Sequence, residues 1–86
     1  MVGISAQVSL YPLGQGSLSP AIEEALRIFR DRGLEVQPGT MSTIVVGDDQ
    51  SVFLALQEAF GHVAEQGHLV MVVTVSNACP VKSRAE

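Results

Sequence analysis

One cysteine, no tryptophan, only five Lys plus Arg and no apolar run of membrane length are what this 86-residue sequence withholds first. A lone Cys79 excludes an internal disulfide and any zinc site built from paired cysteines, and it suits a reducing compartment. A cytoplasmic location is therefore expected. The start, Met1-Val2-Gly3-Ile4, lacks the basic n-region and small-residue cleavage site of a secretory signal. With no stretch approaching the ~20 apolar residues of a span, a soluble chain without membrane association is expected. The shortage of cations, at a net charge of -4, works against the polyanion attraction that dominates nucleic-acid binding, and equally against a di- or triphosphate ligand. No nucleic-acid partner is expected.

What the sequence does have is apolar surface: 47% of residues are hydrophobic and 16% charged, too apolar for a disordered segment. A chain this short buries only roughly 60% of what its unfolded form exposes, so further burial by self-association is expected.

From Val2 to Tyr11 apolar and polar residues alternate, with Val2, Ile4, Ala6, Val8 and Leu10 on one side and Gly3, Ser5, Gln7, Ser9 and Tyr11 on the other. That is the period of a half-buried strand. Pro12 to Ser17 reads as a loop, and Ser19-Pro20 as an N-cap with proline at the first helical position. The helix that follows carries Ile22, Ala25, Leu26 and Phe29 as its apolar stripe and stops at Gly33. Leu34 to Pro38, with Glu35 and a proline, suits an edge strand. Met41 to Val46 is a third strand. Gly47-Asp48-Asp49 forms a turn and cap, and a second helix presents Val52, Leu56, Ala59, Phe60 and Val63 before Gly67 ends it. Leu69 to Val75 is a nearly unbroken apolar strand ending at Ser76-Asn77.

The order βαββαβ predicts an α+β, ferredoxin-like fold: one domain over residues 1–80, a four-stranded antiparallel sheet in the order 4-1-3-2, two helices on one face, and a loose tail at 81–86. Two helices cover only one face. On the other, an isolated domain would present Lys, Glu or Arg, yet the first, third and fourth strands as read here contain no charge. The positions there are Ser5, Gln7, Ser9, Tyr11, Ser42 or Thr43, Thr74 and Ser76, with Val70 and Val72 beside them. Small neutral hydrogen-bonding groups among valines suit a covered interface with pockets, although a mildly polar solvated face has the same composition. Gln7 and Asn77 are candidates for bidentate contact with a flat heterocycle. Gln7 reads equally as a cross-strand hydrogen-bonding residue, and Asn77 as a strand-ending turn.

Other chemistry finds little support. His62, His68 and Cys79 fit no ligand spacing, so neither a metal site nor a catalytic cysteine is expected. Asp48-Asp49 before a helix is what capping and the helix dipole require. The loop after the first strand lacks the arginine that ferredoxin-like acylphosphatases use for phosphate, and Gly14-Gln15-Gly16 is not part of a dinucleotide fingerprint. No catalytic residue and no cofactor is expected.

The phrases Ser9-Leu10-Tyr11-Pro12-Leu13-Gly14, Met41-Ser42-Thr43 followed by Val45-Val46-Gly47-Asp48, and Ser76-Asn77-Ala78-Cys79-Pro80 resemble the YkoF-related members of the thiamine-binding-like superfamily over roughly residues 3 to 80. The resemblance implies a ferredoxin-like unit that packs sheet to sheet with another and binds thiamine, or its hydroxymethylpyrimidine precursor, at the open sheet face. The best-known members carry two units per chain. With one unit, pairing here implies a homo-oligomer, a dimer or a tetramer. The implied ligand contacts are Gln7, Ser9, Thr43, Ser76 and Asn77 for the aminopyrimidine's donors and acceptors, with Tyr11 and Met41 against its plane. The expected function is non-enzymatic binding of such a pyrimidine; the alternative is a regulatory or structural assembly module of the same fold.

Overall fold

The computed structural model describes residues 2–14, 19–39 and 42–78; Met41, Cys79 and the tail 81–86 lie outside the described residues. Its elements run β1 (Gly3–Pro12), α1 (Ser19–Asp31), β2 (Glu35–Pro38), β3 (Thr43–Asp48), α2 (Asp49–Ala64) and β4 (Leu69–Ser76). The four strands form one sheet in the order β2-β3-β1-β4, every neighbouring pair antiparallel. This is the expected topology, with the short Glu35–Pro38 strand at one edge.

Alternation along β1 divides the sheet as read from sequence. Ile4, Ala6 and Val8 are buried beneath the helices, joined by Val45 of β3. The core closes with Ala25, Ile28 and Phe29 of α1, Leu34, and Val52, Ala55, Leu56 and Ala59 of α2. Small residues at 25, 55 and 59 let the helices and sheet approach closely.

Two helical stripes differ from expectation. In α1 the buried residues are Ala21, Ala25, Ile28 and Phe29, while Ile22 and Leu26 are only partly covered. In α2 Ala55 is buried and Phe60 remains 42% exposed. Both patterns admit a stripe rotated by about one residue, and packing on a small sheet rewards the thin, alanine-bearing side. The third strand is also shifted. It continues through Gly47 to Asp48, so the expected turn at 47–49 is a direct step from strand into helix.

The helix ends are locally satisfied. Gly33 (φ +80°) lets its own N–H reach the Arg30 carbonyl (2.9 Å) and the Leu34 N–H reach that of Phe29 (3.2 Å), the paired bonds of a Schellman turn. Asp48 caps α2, accepting from the Ser51 N–H (3.0 Å) and hydroxyl (2.8 Å). Asp49 holds the start of β1: its N–H donates to the Val2 carbonyl (2.8 Å) and its carboxylate accepts from the Val2 N–H (3.2 Å). These two aspartates thus act as structural groups in the described residues.

Candidate functional site: the open sheet face

The register decides which side chains share the face opposite the helices. Pairing of Ser5 with Val46 and Ser76, Gln7 with Ile44 and Thr74, and Ser9 with Val72 places these residues together, with Tyr11 opposite Val70 at one end. Glu35 opposite Val46 and Gln37 opposite Ile44 complete it from β2. The row Gln37, Ile44, Gln7, Thr74 crosses the whole sheet, about 14 Å at the usual interstrand spacing.

The face is neutral in its middle, apolar on its β4 flank and polar on its β2 flank. Tyr11, Val70 and Val72 are close to half exposed (49%, 46% and 50%), a contiguous apolar area on the β4 side. Among the described residues no Lys or Arg belongs to a strand. Among the described residues its carboxylates are Glu35, which accepts from Gln37 Nε2 (3.0 Å), and Asp48 at one end, committed to Ser51. Those donors from Ser51 favour the charged form and hold the Asp48 carboxyl below its ordinary value.

Gln7 donates through Nε2 to Ser42 Oγ (3.1 Å), the cross-strand bond that sequence left as one of its two readings. Ser76 Oγ accepts from the Ala78 N–H (2.9 Å), a turn that ends β4 and places Asn77 at the rim. Gln7, Ser9, Tyr11, Ser76 and Asn77 are therefore brought to one face or its margin.

Thr43 is not. It pairs with Val8 and Pro38, on the helix-covered side, where it lines a cleft of about 80 Å³ with Leu10, Ile22 and Leu26. A one-residue step in a strand reverses the side chain's direction, so of the two positions read from sequence, Ser42 or Thr43, it is Ser42 that reaches Gln7, and Ile44 is the β3 residue opposite Gln7. Met41 lies outside the described residues. The register also adds Glu35, Gln37, Ile44 and Val46. Alternation of Glu35 and Gln37 about Val36 was the available signal for the first two; β3 is apolar on both sides and carried none.

His62 lies away from the sheet face, its Nε2 2.9 Å from Glu24, which Arg27 also contacts. The Arg27 guanidinium holds the Glu24 carboxyl below its usual range. Among the described residues no group of three or more His, Cys, Asp or Glu is placed to hold a metal, and no helix is long and apolar enough to cross a membrane.

Residues 3–82 match the model of the YKOF-related family. The UPF0045 protein of Methanocaldococcus jannaschii is 35% identical over 57 residues, 65% of this chain; the match spans 57% of that relative's length. A crystal structure from the same archaeon superposes with a TM-score of 0.84 at 28% identity, covering 99% of this chain and 87% of that one. A candidate thiamine biosynthesis/salvage protein of Thermotoga maritima gives 0.76 at 16% identity, over 85% of this chain and 81% of its own. A designed protein with a ferredoxin fold gives 0.58 at 11%, over 100% and 93%. The last two likenesses are of fold.

Proposed function

This chain belongs to the YKOF-related family, and from that premise we propose that it binds thiamine or a related pyrimidine, without converting it, on the open sheet face of a homo-oligomer. The observation that carries the reading is the composition of that face: amide and hydroxyl groups of Gln7, Ser9 and Thr74 in its middle, apolar Tyr11, Val70 and Val72 beside them, and no Lys or Arg among its described residues. An aminopyrimidine carries ring nitrogens and an exocyclic amine. Gln7, with its amide nitrogen already donating to Ser42, can accept from that amine, while Ser9 and Thr74 supply hydroxyl donors to the ring nitrogens.

The cationic thiazolium of thiamine suits a face without cations. Tyr11 can stack on it for about 0.5 to 2 kcal/mol, and the Glu35 carboxylate adds negative potential at the β2 margin. The Thermotoga maritima neighbour, a candidate thiamine biosynthesis/salvage protein, is in keeping with the same ligand class. A second copy laid over the face would dehydrate the half-exposed valines and strengthen each polar contact beneath it.

Thermal denaturation against thiamine, hydroxymethylpyrimidine and thiamine diphosphate tests the reading. A ligand present at 100 times its Kd should stabilise the protein by about 2.7 kcal/mol, with thiamine ahead of its diphosphate. Gln7→Ala should weaken binding roughly two- to tenfold, the worth of one neutral hydrogen bond. If none of the three ligands moves the transition, the face is an assembly surface alone.

A further inference from the structure

The two helices meet solvent with different side chains. On α1 the exposed side carries Glu23, Arg27, Arg30 and Asp31, and none of its large apolar residues is left open. On α2 it carries Phe53, Leu54 and Phe60, which are 54%, 50% and 42% exposed. With Gln57, Gly61 and Ala64 these form an uncharged stripe that repeats after seven residues: Phe53 to Phe60, Leu54 to Gly61 and Gln57 to Ala64. Such spacing belongs to a helix covered by another helix, and here it lies on the side opposite Val52, Ala55, Ala59 and Val63, which pack inward.

Gly61 is a second, independent mark on the same stripe. A Cβ there would meet nothing within 4 Å, and its φ is not positive, so neither space nor conformation among the described residues calls for glycine. Glycine inside a helix weakens it. What it supplies is a notch where another backbone can approach closely. Two shallow hollows of about 420 and 500 Å³ adjoin along α2 and share Leu54 and Gln57, with Gly61 lining the first and Phe53 the second.

Charge selects the occupant. Asp49, Glu58 and Glu65 border the hollows, while the neighbouring Arg32 and His62 contact Glu58 (2.7 Å) and Glu24 (2.9 Å). A second copy seated there would set these carboxylates against one another. An anionic bilayer would be repelled, since a helix that lies on a membrane carries Lys and Arg where this one carries Asp and Glu. We propose that the outer side of α2 docks a basic amphipathic helix of a different protein. Its aliphatic side chains cover Phe53, Leu54 and Phe60, its backbone crosses at Gly61, and its Lys or Arg residues stand over Asp49, Glu58 and Glu65. The 16 residues of α2 offer a length of about 24 Å, enough for roughly four turns of such a partner. The site lies across the core from the open sheet face and requires no ligand on it.

The chain has no tryptophan, so an indole placed in a peptide gives a signal free of background. The probe is a synthetic amphipathic helix of about 16 residues, built of Leu and Lys with one Trp in its apolar stripe, titrated with the full chain and followed by emission wavelength and anisotropy. Saturable binding with a Kd in the micromolar range is expected, weakened by salt and at least about tenfold weaker for a counterpart with Glu in place of Lys. Phe53→Glu and Gly61→Leu, both at exposed positions, should each weaken the Lys peptide at least about tenfold, and Gly61→Leu should at the same time raise the Tm of the chain alone. No binding, equal binding of the Glu peptide, or unchanged binding by both variants overturns the proposal. So does a fall in particle mass on Phe53→Glu, which would give the stripe to a second copy, or uptake of the chain by phosphatidylserine vesicles, which would give it to a membrane. Thiamine takes no part in these measurements, so a failed ligand screen and a failed titration remain separate outcomes.

Discussion

Gly47 is a glycine for want of space. A Cβ built there would lie 2.5 Å from Leu34 Cδ2 and 3.5 Å from Val52 Cγ2, so the buried Leu34 side chain occupies the place of a methyl group. Gly47→Ala should therefore destabilise the fold by about 1 to 3 kcal/mol in urea unfolding. In a Leu34→Ala background, where the obstructing atoms are gone, the same change should cost less, a favourable coupling in the double-mutant cycle. Equal costs in both backgrounds would mean that the contact is not the cause. At this scale sequence was least informative: nothing in Thr43 or Ile44 announces which of two adjacent β-branched residues faces the helices, and the register alone reversed that assignment.

Among the elements, α2 begins on the strongest local signal in the chain. Asp48 ends β3 and caps the helix through Ser51, whose donors lower the carboxyl's pKa. A carboxyl whose folded-state pKa is depressed contributes stability that is fully present above its unfolded value of about 3.9 and is lost as pH falls through the lower folded value. Asp48→Asn, which keeps an acceptor oxygen without the charge, should lower the thermal midpoint near neutral pH. The difference should shrink as pH falls below about 4. A gap that stayed constant on acidification would assign the loss to geometry and not to charge. The cap and the Gly33 turn were both legible in sequence because each is a local bonding requirement. The buried sides of α1 and α2 were not, because rotating an apolar stripe by one residue leaves its period intact, and only contact with the sheet selects Ile28 over Leu26 and Ala55 over Phe60.

For the whole molecule the open face is the deciding feature. Placing an ammonium at Ser9, in the middle of that face and opposite Val72, should prevent a second sheet from covering it. Ser9→Lys is expected to reduce the particle mass in light scattering with an unchanged far-UV spectrum, since Ser9 lies outside the buried core. A monomeric parent protein at tens of micromolar would sink the covered-face reading outright.

The sequence by itself determined the element order, the sheet topology, the helix stops and the uncharged character of one face, because these depend on periodicity, on glycine, proline and cap chemistry, and on composition. Tertiary structure decided which residues that face contains. Ile44, Val46, Glu35 and Gln37 joined it and Thr43 left it, since strand register fixes the direction of every side chain at once and is set by pairing between segments about 35 residues apart, as where Gln7 meets Ser42.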